Sequence, residues 1–482
     1  MTVAPDAFLI AAQAVQATDL EQIPDAPSVV EAVTLVDASA DLPAHLDVRG
    51  WTAPQIRFAL KLPLPDAWTG RFLFIGCGGP CGVVYPDALD RGLRAGFASA
   101  TCDAGHAATA FGSLWAWGNV DAERDWAWRS THVASIATAE IAQRIFGQAI
   151  ACRYFAGSST GGRQAMIHAQ RFPQDFDGIL ANSPGLNPIY MSFTWPWMGQ
   201  VLFEADGTPI LSADDAVLIA REVLRQGDAL DGIRDGIISR PEGFVPDLSN
   251  LPLDARKREV IRKLYAGPDV QPGPRGFTGV LPGSEGLGDW QTLFAGSDLL
   301  FRIARGLVRY SVYDTPPGPS FQLASWKPED WPHAFSHHIA ETGATDPDLD
   351  AFRDKGGKLL VTQPLGDAWV DPHHAMWYAD DLIERYGSAE AVAAFARLFM
   401  IPGKGHSTGF GHYGPTDDTL AGLVAWVEDG VVPERLVISY AERSDLGLPA
   451  FSRPVFPYPA RAEWDGDGDW SDPGRFVPVG VV

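Results

Sequence analysis

The stretch Tyr154-Phe155-Ala156-Gly157-Ser158-Ser159-Thr160-Gly161-Gly162-Arg163-Gln164 carries a serine placed for chemistry. An apolar run ends in small residues and a helical pattern follows. That is the signature of a serine on a tight strand-to-helix turn, with glycines that let strand and helix approach closely. Read as Gly-x-Ser-x-Gly, the frame is Gly157, Ser159 and Gly161, which makes Ser159 the candidate nucleophile. The start of the following helix offers unpaired N–H groups to a developing oxyanion, so the chemistry invited is acyl transfer.

Such a serine needs a base, and the base needs an orienting carboxylate. His406 fits the base. It follows the apolar run ending at Ile401, in Gly403-Lys404-Gly405-His406-Ser407-Thr408-Gly409. Asp367 and Asp371 both follow the run ending at Thr362, and either is available as the acid. Serine, acid, histidine is the chain order of α/β-hydrolases. The oxyanion needs a second N–H besides that of Thr160, from the loop after an early strand. Gly78-Gly79 in Gly76-Cys77-Gly78-Gly79-Pro80-Cys81-Gly82 supplies it, with Gly79 the candidate, because Pro80 has no N–H. Trp369 lies in the acid's own loop and is expected to line the site. Each residue also has a plainer reading: a Gly-rich turn, a loop histidine with one structural hydrogen bond, a helix-capping carboxylate.

A second constellation is Gly227-Asp228-Ala229-Leu230-Asp231-Gly232-Ile233-Arg234-Asp235-Gly236-Ile237. Carboxylates at i, i+3 and i+7, with glycines permitting sharp turns, can wrap a hard cation using intervening carbonyls. It is not an EF-hand, since the twelfth position from Asp228 is Ser239 rather than Glu. The similar run Asp465-Gly466-Asp467-Gly468-Asp469 fails after five residues and reads as a surface turn.

These residues must be positioned by a sheet. Arg71–Ile75, Phe97–Thr101, the run into Ser159, Gly178–Ala181, Lys358–Thr362 and Arg397–Ile401 read as short strands. Helical spacing over residues 131–146, about 161–171 and 416–428 lies between or after them. Alternating strand and helix predicts a mostly parallel sheet covered on both faces. Residues 1–68 read as edge strands and loops. From about Pro184 to Lys355 the rhythm breaks into Pro, Gly and Trp with scattered helical pieces, which predicts an inserted lid. The organisation expected is a core over 1–183, a lid over 184–355, and the rest of the core over 356–482.

Bulk properties narrow the partners. The 482 residues carry 37 Lys and Arg against 60 Asp and Glu, a formal net charge of −23. Such a surface repels nucleic acid and anionic membranes. No run of apolar residues is long enough to span a bilayer. The N-terminus has no Lys or Arg before Arg49, so it does not read as a secretory signal. The four cysteines, Cys77, Cys81, Cys102 and Cys152, make no disulfide framework and read as buried free thiols, with Cys77 and Cys81 only weakly spaced for a metal.

Taken together, these segments resemble the tannase and feruloyl esterase family. The resemblance rests on the Gly-Cys-Gly-Gly-Pro-Cys-Gly loop, on Cys102-Asp103-Ala104-Gly105-His106, and on Gly157-Ser158-Ser159-Thr160-Gly161-Gly162-Arg163-Gln164. It continues through Phe172–Ile179, the Asp228–Ile237 loop and Arg453-Pro454-Val455-Phe456-Pro457-Tyr458-Pro459. It implies an α/β-hydrolase core with a large inserted lid, and a lid calcium held by Asp228, Asp231 and Asp235 side chains and the Ile233 and Ile237 carbonyls. It implies Asp371 as the acid, because the family's acid precedes a proline. The family's cysteines flanking the nucleophile and the histidine are replaced here by Ser158 and Ser407. A chain without disulfides suits a reducing, cytoplasmic setting, with secretion the alternative. The expected activity is a serine esterase acting on an aromatic acid ester. The rivals are a hydrolase of an amide, lactone or C–C bond on the same scaffold, and a non-catalytic calcium-dependent binding protein.

Overall fold

The computed structural model describes residues 5–108, 111–270, 275–327, 341–406, 414, 416, 418–444 and 446–480. Nine strands form one sheet: β1 Ser28–Val36, β2 His45–Thr52, β3 Ile56–Pro63, β4 Arg71–Ile75, β5 Ala98–Cys102, β6 Cys152–Ser158, β7 Gly178–Asn182, β8 Lys358–Pro364 and β9 Ala396–Ile401. Their spatial order is β1-β2-β3-β5-β4-β6-β7-β8-β9. The first three run antiparallel, and β3 joins β5 antiparallel. From β5 to β9 every pairing is parallel.

The central strands are short apolar runs buried on both faces, as a covered parallel sheet requires. Strand β4 shows the division. Phe72 and Phe74 pack with Val133, Ile141, Met166 and Tyr378 from the helices Ser130–Phe146, Thr160–Arg171 and Pro372–Tyr386. Leu73 and Ile75 face the other way, toward Leu420, Leu423 and Trp426 of the helix Thr419–Asp429. This alternation is the period-two geometry of a strand turned into two cores.

The edge strands expected in the first 68 residues are β1 to β3. A helix that the sequence reading did not anticipate, Pro5–Gln16, precedes them, and Phe8 meets Phe146 at 5.2 Å between ring centroids. Residues 183–357 add no strand to the sheet among those described. They fold as helices, including Pro188–Leu202, Ala213–Gly227, Ala255–Ala266 and Leu299–Tyr310, around Phe193, Trp290 and Phe294. Ala368, Trp369 and Val370 belong to the same apolar cluster, so the insertion's core closes onto the loop after β8. Past the sheet, β10 (Leu436–Tyr440) pairs with β11 (Phe451–Val455), and β12 (Arg461–Trp464) with β13 (Phe476–Val479). Among the described residues, no helix is long and apolar enough to cross a membrane.

Candidate active site

Ser159 stands between β6 and the helix Thr160–Arg171 with φ 61° and ψ −118°, a conformation costly for a residue with a Cβ. Neighbouring structure holds it there. Its N–H donates to the Asn182 carbonyl at 3.0 Å, and its carbonyl accepts from Arg163 N–H at 2.9 Å. The turn requires glycine on both sides. A Cβ at Gly157 would lie 2.4 Å from the Gly161 backbone, and one at Gly161 would lie 2.9 Å from the Cys77 carbonyl oxygen. The strand, the helix and the loop after β4 therefore meet at the serine with no room for side chains between them.

That loop is tied to the serine's helix. Thr160 Oγ1 donates to the Gly79 carbonyl at 2.7 Å, and Gln164 Oε1 accepts from Cys77 N–H at 3.1 Å. His106 Nε2 donates to the Pro80 carbonyl at 2.8 Å while its ring stacks on Trp115. Thr160 and Gly79, the two expected oxyanion donors, border the same cavity as Ser159. The loop also overturns the expectation of free thiols: Cys77 and Cys81 are joined as a disulfide, with Cα atoms 5.4 Å apart. Gly79 and Cys81 both take positive φ, and this tight turn folds a four-residue spacing into bridging range. Only Cys102 and Cys152 are free. The bridge removes the ground for expecting a reducing compartment from missing disulfides. Ser158 ends β6 and lines the cavity, whereas Ser407 lies outside the described residues.

His406 borders the cavity too. Its Nδ1 pairs with Asp367 Oδ2 at 2.7 Å, leaving Nε2 as the proton acceptor of the neutral ring. Burial lowers the pKa of His406, but the charge and hydrogen bond of Asp367, together with the charge of Asp289, outweigh it and hold the imidazole above its usual range. Asp367 is itself fixed. Its Oδ1 accepts from the N–H groups of Trp369 and Val370 at 2.9 and 2.8 Å. The His406 N–H donates to Asp289 Oδ2 at 2.6 Å. No sequence signal singled out Asp289, which comes from the helical insertion.

The structure places Asp371 elsewhere, which corrects its assignment beside His406. Asp371 caps the helix Pro372–Tyr386, accepting from His373 N–H at 2.9 Å and pairing with His373 Nδ1 at 2.7 Å. Tyr190 Oη donates to it at 2.8 Å, and Thr278 Oγ1 donates as well. The Asp-Pro pair that favoured Asp371 is explained by this position: aspartate at a helix cap and proline in the first turn are both preferred there.

Ser159, Thr160, Gly79, Trp369 and His406 share one cavity of about 580 Å³. Its walls are mostly apolar and aromatic, with Phe111, Trp115, Trp126, Trp195 and Trp369 prominent. Trp369 stacks on Phe111 at 5.3 Å and lies 5.9 Å from the His406 ring, so the expected lining residue borders the cavity beside that histidine.

The Asp228–Ile237 loop lies outside this cavity. Asp228 Oδ1 accepts from the N–H groups of Asp235 and Gly236, and Ser239 Oγ donates to Asp231 Oδ2 at 2.5 Å. Arg453 reaches Asp231 at 3.3 Å and Asp235 at 2.8 Å. The second of these is an ionic contact without hydrogen-bond alignment, since Asp235 Oδ2 and Arg453 Nε both lack a hydrogen-bond partner. Burial, against the pull of Arg453 and with repulsion from Asp231 and Asp228, pushes Asp235 up to about 7. Among the described residues, no three acidic, His or Cys side chains converge on one point as a finished metal cage. The donor chemistry nevertheless suits a hard cation. Arg453 meets two of the three carboxylates, the charge of Asp228 acts on Asp235 as well, and one oxygen of the buried Asp235 is unsatisfied.

Comparison with known proteins adds an independent line. The chain matches the family model described as tannase and feruloyl esterase over residues 43–245 and 309–477. It is 30% identical over 498 residues to an uncharacterized esterase of Xanthomonas campestris pv. campestris, covering 92% of this chain and 86% of that protein. It is 29% identical over 546 residues to the mono(2-hydroxyethyl) terephthalate hydrolase of Piscinibacter sakaiensis, covering 94% and 89%. The crystal structure of feruloyl esterase B from Aspergillus oryzae shares its fold, with TM-score 0.82 at 23% identity over 98% of this chain and 100% of that one.

Proposed function

Because this chain belongs to the tannase and feruloyl esterase family and its named relatives are esterases and hydrolases, we propose that it hydrolyses carboxylic esters through a serine acyl-enzyme. Ser159 Oγ attacks the ester carbonyl carbon while His406 Nε2 takes its proton. Asp367 holds Nδ1–H, fixing the tautomer and stabilising the imidazolium. The N–H groups of Thr160 and Gly79 receive the oxyanion. Collapse expels the alcohol, which takes its proton from His406. Water activated by the same imidazole then attacks the acyl-enzyme, releasing the acid and freeing Ser159. The observation that carries this reading is the 2.7 Å contact between His406 and Asp367 at a cavity shared with Ser159 on its strained turn.

The aromatic walls favour an aromatic acyl group of the hydroxycinnamate or gallate kind, stacked between indole and phenyl rings. Ser159→Ala is expected to lower kcat on such esters by at least about a thousandfold and to abolish labelling by a fluorophosphonate. Near wild-type turnover in that variant would sink the assignment.

The insertion acts as a lid in this proposal, and a structural calcium belongs to it. Asp228, Asp231 and Asp235 side chains and the Ile233 and Ile237 carbonyls would hold the ion, which would relieve the mutual repulsion of the three carboxylates. Calcium would supply cohesion here, with no part in the acyl steps. Chelation should lower the Tm by a few degrees, with recovery on adding calcium. An unchanged Tm would remove the ion from the account.

A further inference from the structure

A stretch of the helical insertion, residues 287–289, reaches the two loops that carry Asp367 and His406. A Cβ at Gly366, beside Asp367, would lie 2.5 Å from Leu287 Cδ1 and 2.8 Å from the Lys404 carbonyl oxygen. A Cβ at Gly405, beside His406, would lie 2.6 Å from Asp289 Oδ2 and 3.3 Å from Leu287 Cβ. Three segments of chain therefore meet at these glycines with no room for a side chain. Polar contacts join the same three. Gly366 N–H donates to the Lys404 carbonyl at 2.9 Å, tying the acid's loop to the base's loop. His406 N–H donates to Asp289 Oδ2 at 2.6 Å, tying the base's loop to the insertion.

The insertion holds this stretch firmly. Asp289 is fully buried at the start of the short helix Asp289–Leu293, and the next residue, Trp290, is fully buried in the insertion's core. Trp290 Nε1 donates to Ser284 Oγ at 2.8 Å, and Leu287 N–H donates to the Ser284 carbonyl at 3.1 Å. Buried Glu285 accepts from Gly283 N–H at 2.9 Å and from Tyr265 Oη at 2.6 Å. A carboxylate on so fixed a wall can hold a neighbouring loop in one place.

Building on the esterase reading, we infer that Asp289 is a positioning residue for that reaction: through this carboxylate the insertion clamps the main chain of His406, so that the imidazole keeps its place against Asp367 at the edge of the cavity. The insertion, which also gives Trp195, Ile303 and Leu307 to the cavity wall, thereby completes the base. The two carboxylates divide the task. Asp367 holds the ring from the loop after β8, and Asp289 holds the backbone from the insertion. A backbone N–H on a buried carboxylate is a charge-assisted bond, stronger than one to a neutral acceptor. A base displaced by a fraction of an ångström loses proton transfer while substrate binding is kept. Asp289 acts on the ring as well. Burial lowers the pKa of His406, and the charge and hydrogen bond of Asp367, then the charge of Asp289, raise it. Of the other ionisable groups nearby, Lys404 holds its ammonium over the Tyr440 ring, and Tyr85, Glu123 and Arg163 stand on the cavity wall.

Asp289→Asn and Asp289→Ala, each in the full-length chain, test this. Asparagine keeps an oxygen acceptor for the His406 N–H and removes the charge, whereas alanine removes both. Asp289→Ala is expected to lower kcat on an aryl ester about thirtyfold with KM within about twofold of wild type. Asp289→Asn should lower kcat only about threefold. In both, the acid limb of kcat/KM should move to lower pH by about half a pH unit, because losing a nearby negative charge favours the neutral imidazole. A second measurement needs no turnover. The His406 Cε1–H signal, assigned by its loss in His406→Gln, is titrated by NMR and should move by the same amount in Asp289→Asn. An unmoved titration in that isosteric variant overturns the proposal, whether or not Asp289→Ala folds. So does a folded Asp289→Ala that keeps kcat within about twofold. The esterase reading fails separately, on a wild-type chain that neither hydrolyses aryl esters nor reacts with a fluorophosphonate, and a moved titration would then still tie Asp289 to His406.

Discussion

Asp367 and Asp371 lie four residues apart in one loop, and each faces a histidine Nδ1 at 2.7 Å, yet the two pairs serve different ends. Asp367 points at His406, whose ring borders the cavity with Ser159. Asp371 points at His373 and takes hydroxyl donors from Tyr190 and Thr278, both in the helical insertion. The first pair belongs to a histidine that borders the cavity and, in the proposed reaction, uses its other ring nitrogen on Ser159. The second spends its carboxylate on a helix start and on two hydroxyls, joining the insertion to the core. Burial, first in size, opposes the charge on Asp371, but the charge and hydrogen bond of His373, the charge of His374 and the bond from Thr278 hold its carboxyl well below the usual range. An acid–histidine pair is thus no mark of catalysis by itself. What distinguishes the two is what the far side of the histidine faces.

The comparison breaks if the wrong aspartate proves essential. Asp367→Asn should cost on the order of 10³ to 10⁴ in kcat, because the amide favours the wrong imidazole tautomer, while the fold stays intact. Asp371→Asn should leave the fluorophosphonate reaction of Ser159 in place but lower the unfolding free energy by roughly 3 kcal/mol, since one partner of a buried pair is removed. Denaturant titration beside active-site labelling reads both. Reversed outcomes would return the catalytic role to Asp371. A smaller effect sharpens the contrast between ionic and covalent positioning. Removing the Cys77–Cys81 bridge as Cys77→Ser with Cys81→Ser should cost about 2 kcal/mol of stability by loop-closure entropy. It should also slow acylation, because Gly79 lies inside the bridged turn. Unchanged acylation would mean that Thr160 and Gln164 hold that loop without help.

The sequence made the serine and the histidine legible because their cues are local: small residues at a strand-to-helix turn, and a Gly-rich loop just past an apolar strand. The parallel sheet was legible for the same reason, as each central strand is a short unbroken apolar run. The acid was not. Choosing Asp371 rested on the Asp-Pro pair, and that pair marks a helix start, while the turn that aims Asp367 is made by its own backbone acceptances from Trp369 and Val370. Asp289 was invisible for a different reason. Its contact is long-range, and nothing in its neighbours' types announces a partner more than a hundred residues away. The disulfide was missed because four-residue spacing reads equally as loop or ligand pair until positive φ at Gly79 and Cys81 closes the turn.

The smallest expected effect is a difference in how the two pairs respond to pH. Burial lowers the pKa of His373, but Asp371's charge and hydrogen bond, with a contribution from Glu242, raise it above its ordinary value. A histidine raised in the folded state stabilises fully below its unfolded pKa, and that contribution is lost as pH rises through the folded one. Asp371, depressed in the folded state, contributes above the unfolded carboxylate pKa and loses that contribution as pH falls through its folded value. The pair therefore stabilises most in a window above the unfolded carboxylate range and below the ordinary histidine value, with the loss complete above the raised His373 value. His406 is raised for a like reason and follows the same stability sign, but its use in the proposed reaction is opposite: only a neutral ring could take the proton of Ser159. Acylation should thus climb through the His406 pKa while histidine-borne stability declines. The Tm gap between wild type and Asp371→Asn, followed from about pH 5 to about pH 9, should narrow across the interval in which acylation rises. A gap that stays constant over that interval would show that Asp371 holds the insertion through Tyr190 and Thr278 alone, with the charge on His373 contributing nothing.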